Sequence, residues 1–164
     1  MRTLGWFGSS LIVFSTAILW GVNTNTSAAS DTLEAAVQQF VGHYELYSSV
    51  SYPPEGGEVE NSYVGRITYD ARGHMSAIGM PGDLPARAAA SSENVSGGFS
   101  YYGDVSWDVE NQIVIHHVTG SASNGAMVGG DLVRYYEWVD GLLVLATKDS
   151  EGRIIAKFSW RKFE

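Results

Sequence analysis

From Phe99 to Glu110 large apolar and polar residues alternate with a period of two. Phe99, Tyr101, Gly103, Val105, Trp107 and Val109 share one parity; Ser100, Tyr102, Asp104, Ser106, Asp108 and Glu110 share the other. Successive side chains leave a strand on opposite sides, so this alternation requires one buried and one wetted face. Asp108-Val109-Glu110-Asn111 then reads as a turn, with Asp at its first position and an Asn suited to the left-handed conformation at its last. A second strand, Gln112 to Thr119, carries two adjacent histidines. The pattern predicts an antiparallel hairpin.

Loop length decides which histidine points inward. A three-residue loop pairs Asp108 with Gln112. It sets Trp107 opposite Ile113, Val105 opposite Ile115, Gly103 opposite His117 and Asp104 opposite His116. This register groups the apolar residues better than a two-residue loop and turns His117 to the interior. A slip of one residue exchanges the two histidines.

The rest of the chain repeats the motif. Asp31 with Glu34 opens a short helix towards Phe40, and a first strand follows from Val41 to Tyr52, with Gly42, Tyr44, Leu46, Ser48 and Val50 on one parity. Tyr63 to Asp70 and His74 to Met80 form a hairpin around Asp70-Ala71-Arg72-Gly73, with Gly65, Ile67, Tyr69, Met75, Ala77 and Gly79 on one face and His74 at a solvated edge. Pro81 to Ser96 is irregular, and Ser121 to Gly130 is a Gly/Ser/Asn loop. Asp131 to Val139 and Leu142 to Lys148 are joined by Asp140-Gly141, a strong hairpin signal. Asp149 to Gly152 turns into Arg153 to Phe163. Pairing across that turn sets Ala156, Phe158 and Trp160 beside Ala146, Val144 and Leu142, and so sends Val133, Tyr135, Glu137 and Val139 inward. The fold class is all-β: an eight-stranded antiparallel up-and-down barrel with a short N-terminal helix. Closure removes both sheet edges, and eight strands leave an interior that can hold one small ligand.

Arg2 precedes an apolar run from Leu11 to Val22, and Ser27-Ala28-Ala29 fits a signal-peptidase site. Residues 1–29 therefore read as a signal peptide and 30–164 as the barrel domain, secreted or periplasmic; the other reading is an uncleaved anchor. The chain has no cysteine, so an exported domain must be held by its core alone. A net charge of −8 disfavours nucleic acid as a partner, and disfavours membrane once the signal is cleaved. Oligomeric state leaves no trace in the sequence.

Tyr63-Val64-Gly65-Arg66-Ile67-Thr68-Tyr69-Asp70 with Gly73-His74-Met75-Ser76, then Tyr102-Gly103-Asp104-Val105, His116-His117-Val118 and Leu132-Val133-Arg134-Tyr135-Tyr136-Glu137, resemble the lipocalin-like domain family of small calycin-type barrel proteins. The resemblance covers Phe40 to Glu164. It implies a lipocalin-like barrel and no particular reaction. The chain departs from the pattern in three places. Gly42-His43-Tyr44 stands where many relatives have Gly-x-Trp, with Arg161 as the candidate basic partner of Tyr44. The segment before Phe99 is shortened to Ser91–Gly97, and Asn124-Gly125-Ala126-Met127 lacks an expected Trp.

His117 and Glu137 are the candidate interior ionisable pair: a general acid and base, a polar anchor for a ligand, or a satisfied interior hydrogen bond. Gly103 would leave space opposite His117. Tyr69, Tyr101, Trp107 and Tyr135, with Tyr44, Phe158 and Trp160, either line a pocket or fill a collapsed core. His116 and His117 point to opposite faces and cannot chelate one metal, and no cofactor-binding motif is present. The leading expectation is an exported barrel that binds a small, mostly apolar ligand. The alternatives are a barrel enzyme performing acid–base isomerisation, cyclisation or hydration with Glu137 and His117, and an envelope or interaction module with a filled core.

Overall fold

The structure, a computed structural model, describes the backbone of residues 24–84 and 97–164, and side chains from Thr32 onward. Most of the stretch read as a signal peptide, residues 1–23, and most of Pro81–Ser96 fall outside these residues. A helix, α1 (Thr24–Phe40), leads into β1 (Gly42–Ser51), β2 (Val59–Glu60), β3 (Tyr63–Tyr69), β4 (His74–Pro81) and β5 (Phe99–Asp108). Then come β6 (Ile113–Ser121), a 3-10 turn at Gly125–Met127, β7 (Asp131–Val139), β8 (Leu142–Lys148) and β9 (Ile154–Lys162). β2 is a two-residue addition to the edge of β1. The other eight strands pair antiparallel in chain order, and β9 returns to β1 through Leu46–Trp160 and Val50–Lys157. The barrel is closed.

Local chemistry accounts for most turns. Asp70 Oδ1 accepts from the backbone of Arg72 and His74, and Gly73 takes φ 85°. β3 and β4 therefore pair as the alternation requires, Ile67 with Ala77 and Tyr69 with Met75, all four buried. His74 lies outside against Asp70. Asp140 and Gly141, both left-handed at φ 51° and 80°, make the two-residue hairpin between β7 and β8.

Two registers differ from expectation by one residue. Between β5 and β6 the left-handed residue is Gln112 at φ 54°, not Asn111. Asn111 is held instead by Asp108, which accepts from its backbone N–H at 3.1 Å and from its side-chain amide at 2.8 Å. The loop gains a residue, Val105 pairs with His116, and Asp104 pairs with His117. His116 is therefore the inward histidine, and His117 is outward. Between β8 and β9 a bulge at Thr147/Lys148 inserts Ile155, so that Leu145 meets Phe158 and Leu143 meets Trp160. Carried through Asp140-Gly141, this points Leu132, Arg134, Tyr136 and Trp138 inward, and Val133, Tyr135, Glu137 and Val139 outward. Another bulge, at Leu46/Ser48, brings Ser49 rather than Ser48 into the buried set.

The helix plugs one end. Phe40 is fully buried, with its ring edge-on to Tyr69 and Tyr136 at 5.4 and 4.9 Å. Tyr44 Oη donates to the Phe40 carbonyl at 2.8 Å, satisfying a helix-end acceptor that would otherwise be orphaned. Asp31 and Glu34 lie within α1 rather than at its start. The basic partner expected over Tyr44 is also different. Arg161 lies outside, paired with Glu45 at 2.8 Å and 5.0 Å from the Tyr47 ring, while Lys162 Nζ is 5.6 Å from the Tyr44 ring.

Candidate functional site

The end opposite Phe40 is hollow. A cavity of about 140 Å³ is lined by Ile67, Phe99, Tyr101, Met127, Arg134, Leu145, Phe158 and Trp160. Strands β3, β5, β7, β8 and β9 supply its walls, and Met127 comes from the 3-10 turn, which Asn124 caps by accepting from the Ala126 N–H. Gly79 makes room for one wall, since a Cβ there would collide with the Phe99 ring. A second hollow, between His43, Arg66, Thr68 and Phe163, lies outside the barrel wall.

Polar groups meet at the cavity floor. His116 is 1 % exposed, with Nε2 2.9 Å from Tyr69 Oη and Nδ1 3.0 Å from Tyr101 Oη. Burial pushes its pKa down to about 3, with Arg134 and then His117 adding to the effect, so the ring is neutral near pH 7. Burial likewise pushes the Tyr69 and Tyr101 hydroxyls up, and the Arg134 guanidinium works against that shift at both. Arg134 is half-buried in the cavity wall. Its Nη1 donates to its neighbour Val133 O at 3.0 Å, and no ion pair engages it among the described residues.

Of the residues singled out in the sequence, Tyr69 and Tyr101 lie here, Tyr101 in the cavity wall and Tyr69 behind it. Trp107 is inward but packs against Phe40, with ring centroids 5.8 Å apart, away from the cavity. Gly103 leaves no open space. A bulge between Tyr102 and Gly103 presses the β6 backbone against it, and a Cβ would strike the His117 carbonyl oxygen. His117 is 41 % exposed, its Nδ1 2.7 Å from Asp131 Oδ1 and its Nε2 2.8 Å from Ser106 Oγ. Glu137 is 51 % exposed and accepts from Lys157 at 3.2 Å. Tyr135 is outside, with Lys148 Nζ 3.6 Å from its ring centroid.

His117 and Glu137 therefore share no interior. His117 pairs with Asp131, six residues before Glu137 on β7, which places the two roughly 20 Å apart along the strand. The groups that do converge, Arg134 and His116, went unremarked as site residues. One signal pointed to Arg134: Leu132, Tyr136 and Trp138 share its parity and are bulkier than the set that includes Glu137. Among the described residues no three His, Cys, Asp or Glu side chains gather to hold a metal ion. No protein-family model and no curated protein sequence matches the chain.

Proposed function

We propose that this protein is a lipocalin-like barrel that binds one small, mostly apolar molecule in its interior. The cavity walled by Phe99, Leu145, Phe158 and Trp160 carries the reading. At about 140 Å³ it compares with the engineered apolar cavity of about 150 Å³ that takes up benzene. A filled core would leave no such space. Acid–base catalysis by Glu137 and His117 loses its basis, since both side chains face solvent and each has another partner.

Export to the periplasm or medium belongs to the same proposal and rests on the leader pattern. Cleavage after Ala29 would remove the Thr24–Ala29 portion of α1 and leave Ser30-Asp31 as a new helix start, which suits their preference for capping positions. The acidic surface disfavours nucleic acid and anionic membrane.

Native mass spectrometry of protein purified from its own host tests both parts. The expected spectrum shows a chain beginning at Ser30 with a small-molecule adduct that denaturation releases. A full-length, membrane-embedded chain would reject export. A bare chain that also takes up no added aromatic probe would reject binding.

A further inference from the structure

The cavity is apolar in its walls but presents hydrogen-bond donors without acceptors, which specifies the ligand more narrowly. The inference rests on the small-molecule reading above. Tyr69 is 1 % exposed, and His116 Nε2 is its one hydrogen-bond partner among the described residues. If Tyr69 accepted from that nitrogen, its own hydroxyl proton would be buried with no acceptor, a costly arrangement. Tyr69 therefore donates to Nε2, the ring proton sits on Nδ1, and Nδ1–H donates to Tyr101 Oη. The chain of donors runs Tyr69 to His116 to Tyr101. It leaves the Tyr101 hydroxyl proton free, in the wall of the cavity.

Beside that proton stands Arg134, which shares a side-chain hydrogen bond with Tyr101 and whose charge meets no carboxylate among the described residues. Trp160, also in the wall, has a buried Nε1–H with no partner there. Trp107 and Trp138, near Phe40, share that property, so Trp160 supports the reading without deciding it. A guanidinium and a phenol proton in an aromatic cup are matched by a ligand that brings an anionic acceptor on a ring-sized apolar body. We propose that the interior site binds a small aromatic or alicyclic carboxylate, its anion held by Arg134 and Tyr101 and its ring packed among Phe99, Phe158 and Trp160. The net charge of −8 opposes an anion at long range, so the preference arises from contacts within the cavity.

Benzoate and benzyl alcohol, alike in ring and size but differing in charge, are the probes. Their binding is measured by calorimetry at pH 7 to the wild type and to Arg134→Gln, Arg134→Lys and Tyr101→Phe. Charge-assisted hydrogen bonds are roughly twice as strong as neutral ones, so benzoate should bind the wild type at least about tenfold more tightly than benzyl alcohol. Arg134→Gln should abolish that preference, weakening benzoate far more than benzyl alcohol. Arg134→Lys, which keeps the charge without the fork, should retain part of it, and Tyr101→Phe should weaken benzoate several-fold. Benzyl alcohol binding the wild type as tightly as benzoate would overturn the carboxylate assignment and leave the hollow barrel standing. Failure of both probes to bind would overturn both. The wild-type comparison decides even if a variant does not fold.

Discussion

Tyr69 Oη stands 2.9 Å from Nε2 of His116, in a part of the barrel where both residues are 1 % exposed. Leaving the Tyr69 proton without an acceptor there would cost about 1–3 kcal/mol, which selects Tyr69 as the donor and fixes the histidine tautomer. Long-range nitrogen–proton correlation spectra at pH 7 should show His116 neutral and protonated on Nδ1. The Nε2–H tautomer would reverse the chain and remove the free Tyr101 proton.

Stability should depend on pH through the same ring. The unfolded chain protonates His116 near pH 6.5, while burial keeps the folded ring neutral down to about pH 3. Between these values the unfolded state binds more protons, so stability falls as pH drops, by up to roughly 1.4 kcal/mol per unit. The favourable carboxylates act lower. Hydrogen bonds from His74 hold Asp70 near 2, and side-chain hydrogen bonds from Asn111 and Arg153 lower Asp108 and Asp149, so their stabilisation is lost only as pH falls below about 3.8. Urea unfolding at pH 7, 6 and 5 isolates the histidine. His116→Gln should be less stable than the wild type at pH 7 but lose less on acidification; parallel curves would contradict a buried neutral His116.

Two glycines should fail in different ways. A Cβ on Gly103 meets the backbone of β6, which cannot retreat without breaking the ladder, whereas one on Gly79 meets the edge of the Phe99 ring, which can swing into the cavity. Gly103→Ala should cost about 1–3 kcal/mol or more, a drop of several degrees in Tm. Gly79→Ala should change Tm less but shrink the cavity, weakening the binding of an aromatic probe. Thermal melts and probe titrations on the two variants separate the effects.

Tyr44 anchors the plug. Its hydroxyl donates to the carbonyls of Phe40 and Gln39 at 2.8 and 3.2 Å, and Lys162 reaches the Gln39 carbonyl at 3.4 Å. Tyr44→Phe removes the donor from a buried helix end and should destabilise by about 1–3 kcal/mol. Tyr47→Phe, an exposed neighbour, should cost little. Equal melting temperatures for the two variants would mean that the hydroxyl does not hold α1.

What the sequence conveyed and what it withheld divide at the bulges. Alternation and turn residues sufficed for the closed barrel, the β3–β4 register and the Asp140-Gly141 hairpin, and hence for Tyr69 and Tyr101. The remaining faces depended on single inserted residues. In β6 both parities carry two aliphatic residues and a histidine, Val114, His116 and Val118 against Ile113, Ile115 and His117, so little contrast reports which face is buried. β8 is apolar from Leu142 to Ala146, and even its outward Val144 and Ala146 are buried. With so little contrast along these strands, the register rests on turn chemistry and on the grouping of apolar residues across each hairpin. The capture of Asn111 by Asp108, and the bulge at Ile155, each shifted it by one. That is why His117, Glu137 and Tyr135 were expected inside while His116, Arg134 and Tyr136 occupy those places.

Whether the barrel takes a guest is read most directly from methyl proton–carbon spectra recorded while benzyl alcohol is added. Ile67, Leu145 and Met127 line the cavity, Val114 and Leu143 belong to the packed core, and Val133 and Ile155 lie exposed outside. Saturable shifts at Ile67, Leu145 and Met127, with Val133 and Ile155 unmoved, are the result expected of a hollow, ligand-binding barrel. Unmoved Ile67 and Leu145 methyls, or shifts confined to Val133 and Ile155, would contradict it.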